Sequence, residues 1–197
     1  MTFRLLLASS SPYRAELLAR LKLPFDQASP DIDEVPLGEE APETYVKRLA
    51  SEKAEALRAE YPRHWIIGSD QTCVVDNTPV GKPGSESRAL EQLERVQGRS
   101  ITFLTALCLL APDGKRYELT EPFTVNFRSL PTDVLRQYIE IEQPLDCAGS
   151  FKVEGLGINL FSSMDGRDMN ALIGLPLIGL CDLLREAGLE PLRLAEA

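Results

Sequence analysis

The chain opens on an apolar run, Phe3 to Ala8, broken only by Arg4 and stopped by Ser9-Ser10-Ser11. A run of that length is too short for a membrane span or the apolar region of a secretory leader, and it reads as a buried first strand. Ser11-Pro12 then reads as a helix cap followed by proline at the first helical position, with Leu17, Leu18 and Leu21 spaced for a buried face. A loop rich in acids and prolines, residues 29–42, leads to a helix expected over 43–60, whose apolar stripe is Val46, Leu49, Ala50 and Leu57. Trp65 to Gly68 is a second apolar strand, expected to end at Ser69-Asp70.

Beyond the Gly81-Lys82-Pro83-Gly84 loop, Ser85 caps a helix carrying Leu90, Leu93 and Val96, closed by Gly98. Ile101 to Leu110 is strand-like, Pro112-Asp113-Gly114 is a turn, and Tyr117 to Phe127 returns as the hairpin partner. Thr132 is expected to cap a helix reaching Glu142. A glycine-rich stretch, Gly149 to Gly157, leads into a strand through Phe161, and a last helix over 177–187 stops at Gly188. Strand–helix units mixed with an antiparallel hairpin predict an α/β protein with a mixed sheet and flanking helices. No repeat, low-complexity segment or linker divides the chain, so residues 1–197 read as a single domain.

Charge narrows the partners. A net charge of −9 argues against a polynucleotide partner, whose phosphates call for a basic face, and the lack of a long apolar run argues against a membrane. An anionic small molecule would need a local cationic pocket. The four cysteines are scattered without a C-x-x-C pair and are expected as buried thiols in a reducing, cytoplasmic setting. A single histidine, His64, makes Ser-His-Asp and multi-histidine chemistry depend on one residue that sits at a strand entry. Neither G-x-x-x-x-G-K-[ST] nor G-x-G-x-x-G is present.

Five places carry candidate chemistry, each with a plainer reading beside it. Arg14 lies in the first turn of a helix, where the dipole favours an anion. Ser9, Ser10 and Ser11 there have hydroxyls and N–H groups to offer a phosphate, though taken alone these residues fit a Ser-Pro cap with an exposed arginine better. Lys53 falls inside an apolar stripe, as a snorkelling stem or as an ammonium aimed into a cleft. Asp70 follows an apolar strand, the position of ligand sites in open α/β sheets and also of turn-forming aspartates. Asp31, Asp33 and Glu34 crowd an extended loop and, with Asp70, offer hard oxygens for Mg²⁺ or Mn²⁺; a solvated acidic loop is the alternative. Lys82 sits on a constrained Gly-Lys-Pro backbone, suited to phosphate oxygens or to an ordinary turn.

Six motifs occur in order along nearly the whole chain: Leu7 to Arg14, Asp33-Glu34, Ala50 to Ala54, Ile67 to Asp70, Gly81 to Pro83 and Ala148 to Phe151. In this the sequence resembles the Maf family of nucleotide pyrophosphatases. The resemblance implies a mixed α/β fold related to the inosine-triphosphate pyrophosphatases, with two lobes around a cleft, a divalent cation and frequent homodimers. It also implies Asp70 as proton acceptor. The expected mechanism is attack of water on the α-phosphorus of a nucleoside triphosphate. Glu34 and Asp70 stand near the metal, and Arg14, Lys53 and Lys82 neutralise the phosphates. Within the family the chain resembles the branch acting on 7-methyl-GTP. Tyr13, Gln71 and Glu154 stand where the dTTP/UTP branch typically has a basic residue, a threonine and a glutamine. One departure is Tyr13, where the 7-methyl-GTP branch often has tryptophan. The alternatives are a dTTP/UTP pyrophosphatase of the same family and a non-catalytic nucleotide-binding regulator of cell division.

Overall fold

In the computed structural model, which describes residues 3–76 and 78–195, the N-terminal apolar run becomes strand β1, Leu5–Ala8. Met1 and Thr2, which precede that run, lie outside the described residues. All four side chains of β1 are buried, as befits the middle of a sheet covered on both faces. Helix α1 (Pro12–Ala19) follows the expected cap: the Ser11 hydroxyl accepts from the Arg14 amide at 3.4 Å, and Pro12 opens the helix.

Seven strands form one mixed sheet in the order β2-β1-β3-β5-β6-β7, with β4 beside β3. Strands β2 (Phe25–Ala28) and β3 (Trp65–Val75) run parallel to β1. The hairpin of β5 (Ser100–Leu110) and β6 (Arg116–Phe127), the short β4 (Thr78–Val80) and the last strand β7 (Phe161–Gly166) add antiparallel pairs. The helices are α2 (Pro42–Ala56), α3 (Glu86–Val96), α4 (Thr132–Glu142), α5 (Asn170–Ile173), α6 (Leu177–Glu186) and α7 (Pro191–Leu194).

Three apolar clusters divide this sheet into two lobes. One face of the β1–β3 half packs against α1 and α6 through Leu17, Leu18, Leu180 and Leu184. The other face packs against α2 through Val46, Ala50 and Ala54. The far ends of β5 and β6 join α3 and α4 in a separate cluster around Phe103, Leu93, Leu135 and Ile139.

Several boundaries differ from the sequence reading, each for a physical reason. The strand expected to end at Ser69-Asp70 continues to Val75, because β5 pairs with it from Ile66 to Val74. Asp70 is therefore inside a strand. Its neighbour on the other side changes: pairing with β1 stops at Ile67 and pairing with β4 begins at Cys73, leaving residues 68–72 open along one flank. Helix α2 stops at Ala56, and 57–60 wind into turns instead of extending it. Thr132 is the first helical residue and caps nothing; its hydroxyl donates to Glu94 at 3.0 Å. The approach to Phe161 is a 3₁₀ turn, Leu156–Leu160, and α7 follows the helix expected to be last. The four thiols are free, but only Cys73 and Cys108 are buried, while Cys147 and Cys181 are half-buried. His64 stands at the entry to β3, its ring 3.2 Å from Asp26. No helix among the described residues is long and apolar enough to cross a membrane.

Candidate active site

A cleft of about 640 Å³ lies between the two lobes and takes in the open flank of β3. At its floor is Asp70, only 6% exposed. Lys53 reaches it from α2: its Nζ is 2.6 Å from Asp70 Oδ1 and 2.7 Å from Glu34 Oε1. Of the two readings open for Lys53, the ammonium aimed into the cleft is the one realised, and the stem is buried in the helix stripe as its spacing required. The approach of α2 to β3 depends on Gly68, since a Cβ there would lie 1.9 Å from the carbonyl oxygen of Ala50.

The charges around Asp70 compete. Burial raises its pKa above the ordinary carboxylate value, and Lys53 and Arg14 offset this only in part. For Glu34 burial also pushes upward, but the Lys53 hydrogen bond and the charges of Lys53, Lys82 and Arg14 prevail and its pKa falls. Lys53 thus bridges a carboxylate that holds a proton more readily than usual and one that sheds it more readily.

Arg14 is fixed by its Nε, which donates to the Gly174 carbonyl at 2.9 Å, and by its Nη1, 3.3 Å from the Ser9 hydroxyl. Gly174 has φ +120, a conformation that brings its carbonyl against Arg14 and that a side chain would strain. Desolvation lowers the guanidinium's pKa, and Asp70 and Glu34 counter it. Ser9 also accepts from the Ser11 amide at 3.1 Å, which ties the serine loop to the start of α1. The anion-site reading of Arg14 gains from this: the side chain turns into the cleft and is not a free surface arginine. Lys82 is exposed on the cleft wall beyond β4, within electrostatic reach of Glu34.

The other end of the cleft is built by the connector between α4 and β7. Phe151 anchors it in edge-to-face contact with Phe103, Phe127 and Phe161, at centroid distances of 5.3, 5.9 and 4.8 Å. The Tyr138 hydroxyl accepts from the Lys152 amide at 3.1 Å. Held this way, the connector turns Asp146, Cys147 and Glu154 into the cleft opposite Tyr13 of α1.

Ser9, Ser11, Tyr13, Arg14, Glu34, Lys53, Asp70, Gln71, Lys82 and Glu154 thus share one cleft. Asp31 and Asp33 do not line it; an Asp33 oxygen accepts from the Val35 amide at 3.0 Å, as in an ordinary Asx turn. Gln71 is more constrained than its sequence position suggests. Its amide nitrogen donates to the carbonyls of Ala171 and Leu172 at 2.6 and 2.9 Å and to Thr105 Oγ1 at 3.2 Å, so the amide oxygen is what it can turn to a ligand.

Sequence reasoning missed the segment that receives these bonds. The carbonyls of α5 and Gly174 accept from Arg14, Ser69, Gln71 and Thr105. Asp168, only 3% exposed, sets that segment by accepting from the Asn170 and Ile178 amides at 2.9 and 2.7 Å. A four-residue helix has too little periodicity to stand out, and Gly174 before Leu175-Pro176 was the only local signal. Asp146 was missed as well, lying two residues before the Ala148–Phe151 motif.

The family model described as Maf-like protein matches residues 4–187. This chain belongs to the Maf-like family. Among the relatives of this Maf-like chain is a protein of Pseudomonas aeruginosa named 7-methyl-GTP pyrophosphatase, 54% identical over 187 residues, which are 94% of this chain and 97% of that one. A protein of the same name from Chromohalobacter salexigens is 51% identical over 190 residues, covering 96% and 98%. Two solved structures are more distant. A nucleoside-triphosphatase, or dITP/XTP pyrophosphatase, from Mycobacterium abscessus is 18% identical with a TM-score of 0.46, over 66% of this chain and 76% of that one. The Staphylococcus aureus Ham1 protein is 14% identical with a TM-score of 0.48, over 80% and 95%.

Proposed function

We propose that this protein is a nucleotide pyrophosphatase that hydrolyses the α–β phosphoanhydride bond of 7-methyl-GTP, yielding 7-methyl-GMP and pyrophosphate. The observation that carries this reading is the two-ended cleft: cations converge on a buried carboxylate at one end, and an aromatic ring stands beside carboxylates at the other. The names of relatives at 51–54% identity over almost the full chain point to the same substrate.

In this reading Asp70 accepts the proton of the attacking water. Its raised pKa suits a base, which works best when its affinity for protons approaches the working pH. Lys53 keeps the carboxylate oriented and Glu34 close to it. Arg14 and Lys82 face the triphosphate, and because Arg14 is already held by Gly174 and Ser9, little reorganisation is needed as charge builds on the leaving pyrophosphate. Ser9 and Ser11, with the start of α1, bind phosphate oxygens.

Two carboxylates, Glu34 and Asp70, meet at the Lys53 ammonium, and no group of three or more such ligands forms among the described residues. That donor set fits Mg²⁺ or Mn²⁺ shared between one or two carboxylates and substrate phosphates better than an all-protein cage. A divalent cation held by Glu34 and Asp70 supplies neutralisation of phosphate charge when bound.

At the base end, Tyr13 stacks on the methylated purine, and the Glu154 carboxylate, acceptor-only, takes hydrogen bonds from the N1–H and exocyclic amine of the guanine edge. The deciding experiment incubates the protein with Mg²⁺ and a panel of 7-methyl-GTP, GTP, dTTP and UTP and follows pyrophosphate. Fastest release from 7-methyl-GTP is expected. Preference for dTTP or UTP would move the chain to the other branch, and binding without release from any nucleotide would make it a regulator.

A further inference from the structure

The cleft's electrostatics are divided by place as well as by sign. Lys53, Arg14 and Lys82 all act on Glu34, at the Asp70 end. Around Tyr13 the picture is reversed. Its hydroxyl lies 3.5 Å from Asp146 Oδ2, and Glu154 is on the same connector a few residues on. The Tyr13 pKa is pushed up to about 12, first by burial and then by Cys147, Asp146 and Glu154. The phenol therefore stays protonated and remains a donor. Lys152, the basic residue on this connector, is turned away, its Nζ donating to the Glu142 carbonyl at 3.1 Å.

A second carboxylate at this end attracts a base with fixed positive charge, such as a purine alkylated at N7, more strongly than a neutral one, which offers it only hydrogen-bond donors. Resting on the substrate reading above, we propose that Asp146 is a specificity-determining residue. Its carboxylate tethers the Tyr13 hydroxyl and, with Glu154, makes the base end of the cleft anionic, so that a cationic N7-alkylated purine is preferred to its neutral parent. The tether also accounts for tyrosine at position 13. A phenol can be held by a carboxylate at its tip, whereas an indole has no hydroxyl there. Because the hydrogen bond is long and Asp146 is exposed, the charge contributes more than the tether.

The test compares 7-methyl-GTP with GTP, which differ in one methyl group and the charge it fixes. Wild type, Asp146→Asn, Tyr13→Phe and Glu140→Gln are assayed for pyrophosphate release, and 7-methyl-GDP and GDP are titrated by calorimetry. Glu140 is an exposed carboxylate on α4 that does not line the cleft, and it controls for net charge. Asp146→Asn is expected to lower the 7-methyl-GTP/GTP ratio of kcat/KM by about two- to fivefold, the range an exposed ion pair commands. The loss should sit in KM, and added salt should shrink the wild-type ratio toward that of the variant. Tyr13→Phe keeps the ring, loses the tether and is expected to move the ratio the same way by less. A wild-type ratio in Asp146→Asn, in turnover and in binding, would overturn the proposal, as would an equal change in Glu140→Gln. If the wild type releases pyrophosphate from neither nucleotide, the pyrophosphatase reading falls, while the calorimetric ratio still decides the role of Asp146.

Discussion

Replacing Gly68 by alanine tests whether the close approach of α2 to β3 sets the geometry of the site. The added methyl would lie 1.9 Å from the Ala50 carbonyl oxygen and 3.0 Å from the Ala54 amide nitrogen. Both are helix backbone, so no side-chain rotation relieves the clash, and the helix must withdraw from the sheet by about 1 Å or more. That withdrawal loosens Val46, Ala50 and Ala54 against Ile66 and Cys108. Overpacking of this kind costs about 1–3 kcal/mol, which for a chain of this size lowers Tm by roughly 2–4 °C per kcal/mol. Lys53 rides on the same helix, one turn beyond Ala50, and its 2.6 Å contact with Asp70 would lengthen beyond a charge-assisted hydrogen bond. A displacement of about 1 Å at a reacting centre lowers rates by roughly 10²-fold. Thermal unfolding followed by circular dichroism gives the first number, and initial rates measured well below both melting points give the second. A variant that melts with the wild type and turns over at its rate would refute the reasoning, and a lowered Tm with an intact rate would separate packing from catalysis.

Three further outcomes are expected. Asp70→Asn should fold and lose roughly 10²–10⁴ in turnover, the contribution of a general base; near-wild-type release of pyrophosphate would remove Asp70 from the mechanism. The same variant checks the pH linkage of the metal-free protein. Because folding raises the Asp70 pKa, its contribution to stability is present below the ordinary aspartate value and is lost as pH rises through the raised one. Glu34, whose pKa is lowered, contributes above the ordinary glutamate value and loses that contribution as pH falls through the depressed one. The stability of Asp70→Asn relative to wild type should therefore increase from acid to neutral pH, and an offset that stays constant across melts in that range would contradict the assigned shift. Glu154→Gln should lower kcat/KM for 7-methyl-GTP far more than for UTP, by about 1.5–3 kcal/mol for a hydrogen bond to a charged group; equal slowing of both would mean that Glu154 does not read the base.

Much of this protein was legible from local pattern. The buried β1, the Ser11-Pro12 start of α1, the stripe of α2 and the β5–β6 hairpin follow from periodicity and turn chemistry, which act over a few residues and need no partner. The order of elements was enough for a mixed sheet. Lys53 stood out as a misfit in an apolar stripe, but the stripe alone left a snorkelling stem and an ammonium aimed into a cleft both open. What local pattern leaves undetermined is set by residues far apart in the chain. The length of β3 depends on β5, which pairs with it through Asp70, and so Asp70 is placed by a strand some 36 residues later, at Ala106. The commitment of Gln71 depends on carbonyls a hundred residues away in α5, an element too short to show periodicity. Asp31 and Asp33 share the composition of Glu34, yet only Glu34 reaches Lys53, because the path of an extended loop is decided by what it packs against. The anionic end of the cleft, where Asp146 meets Tyr13 across 133 positions of sequence, exists only once the aromatic cluster around Phe151 has folded the connector back onto α1.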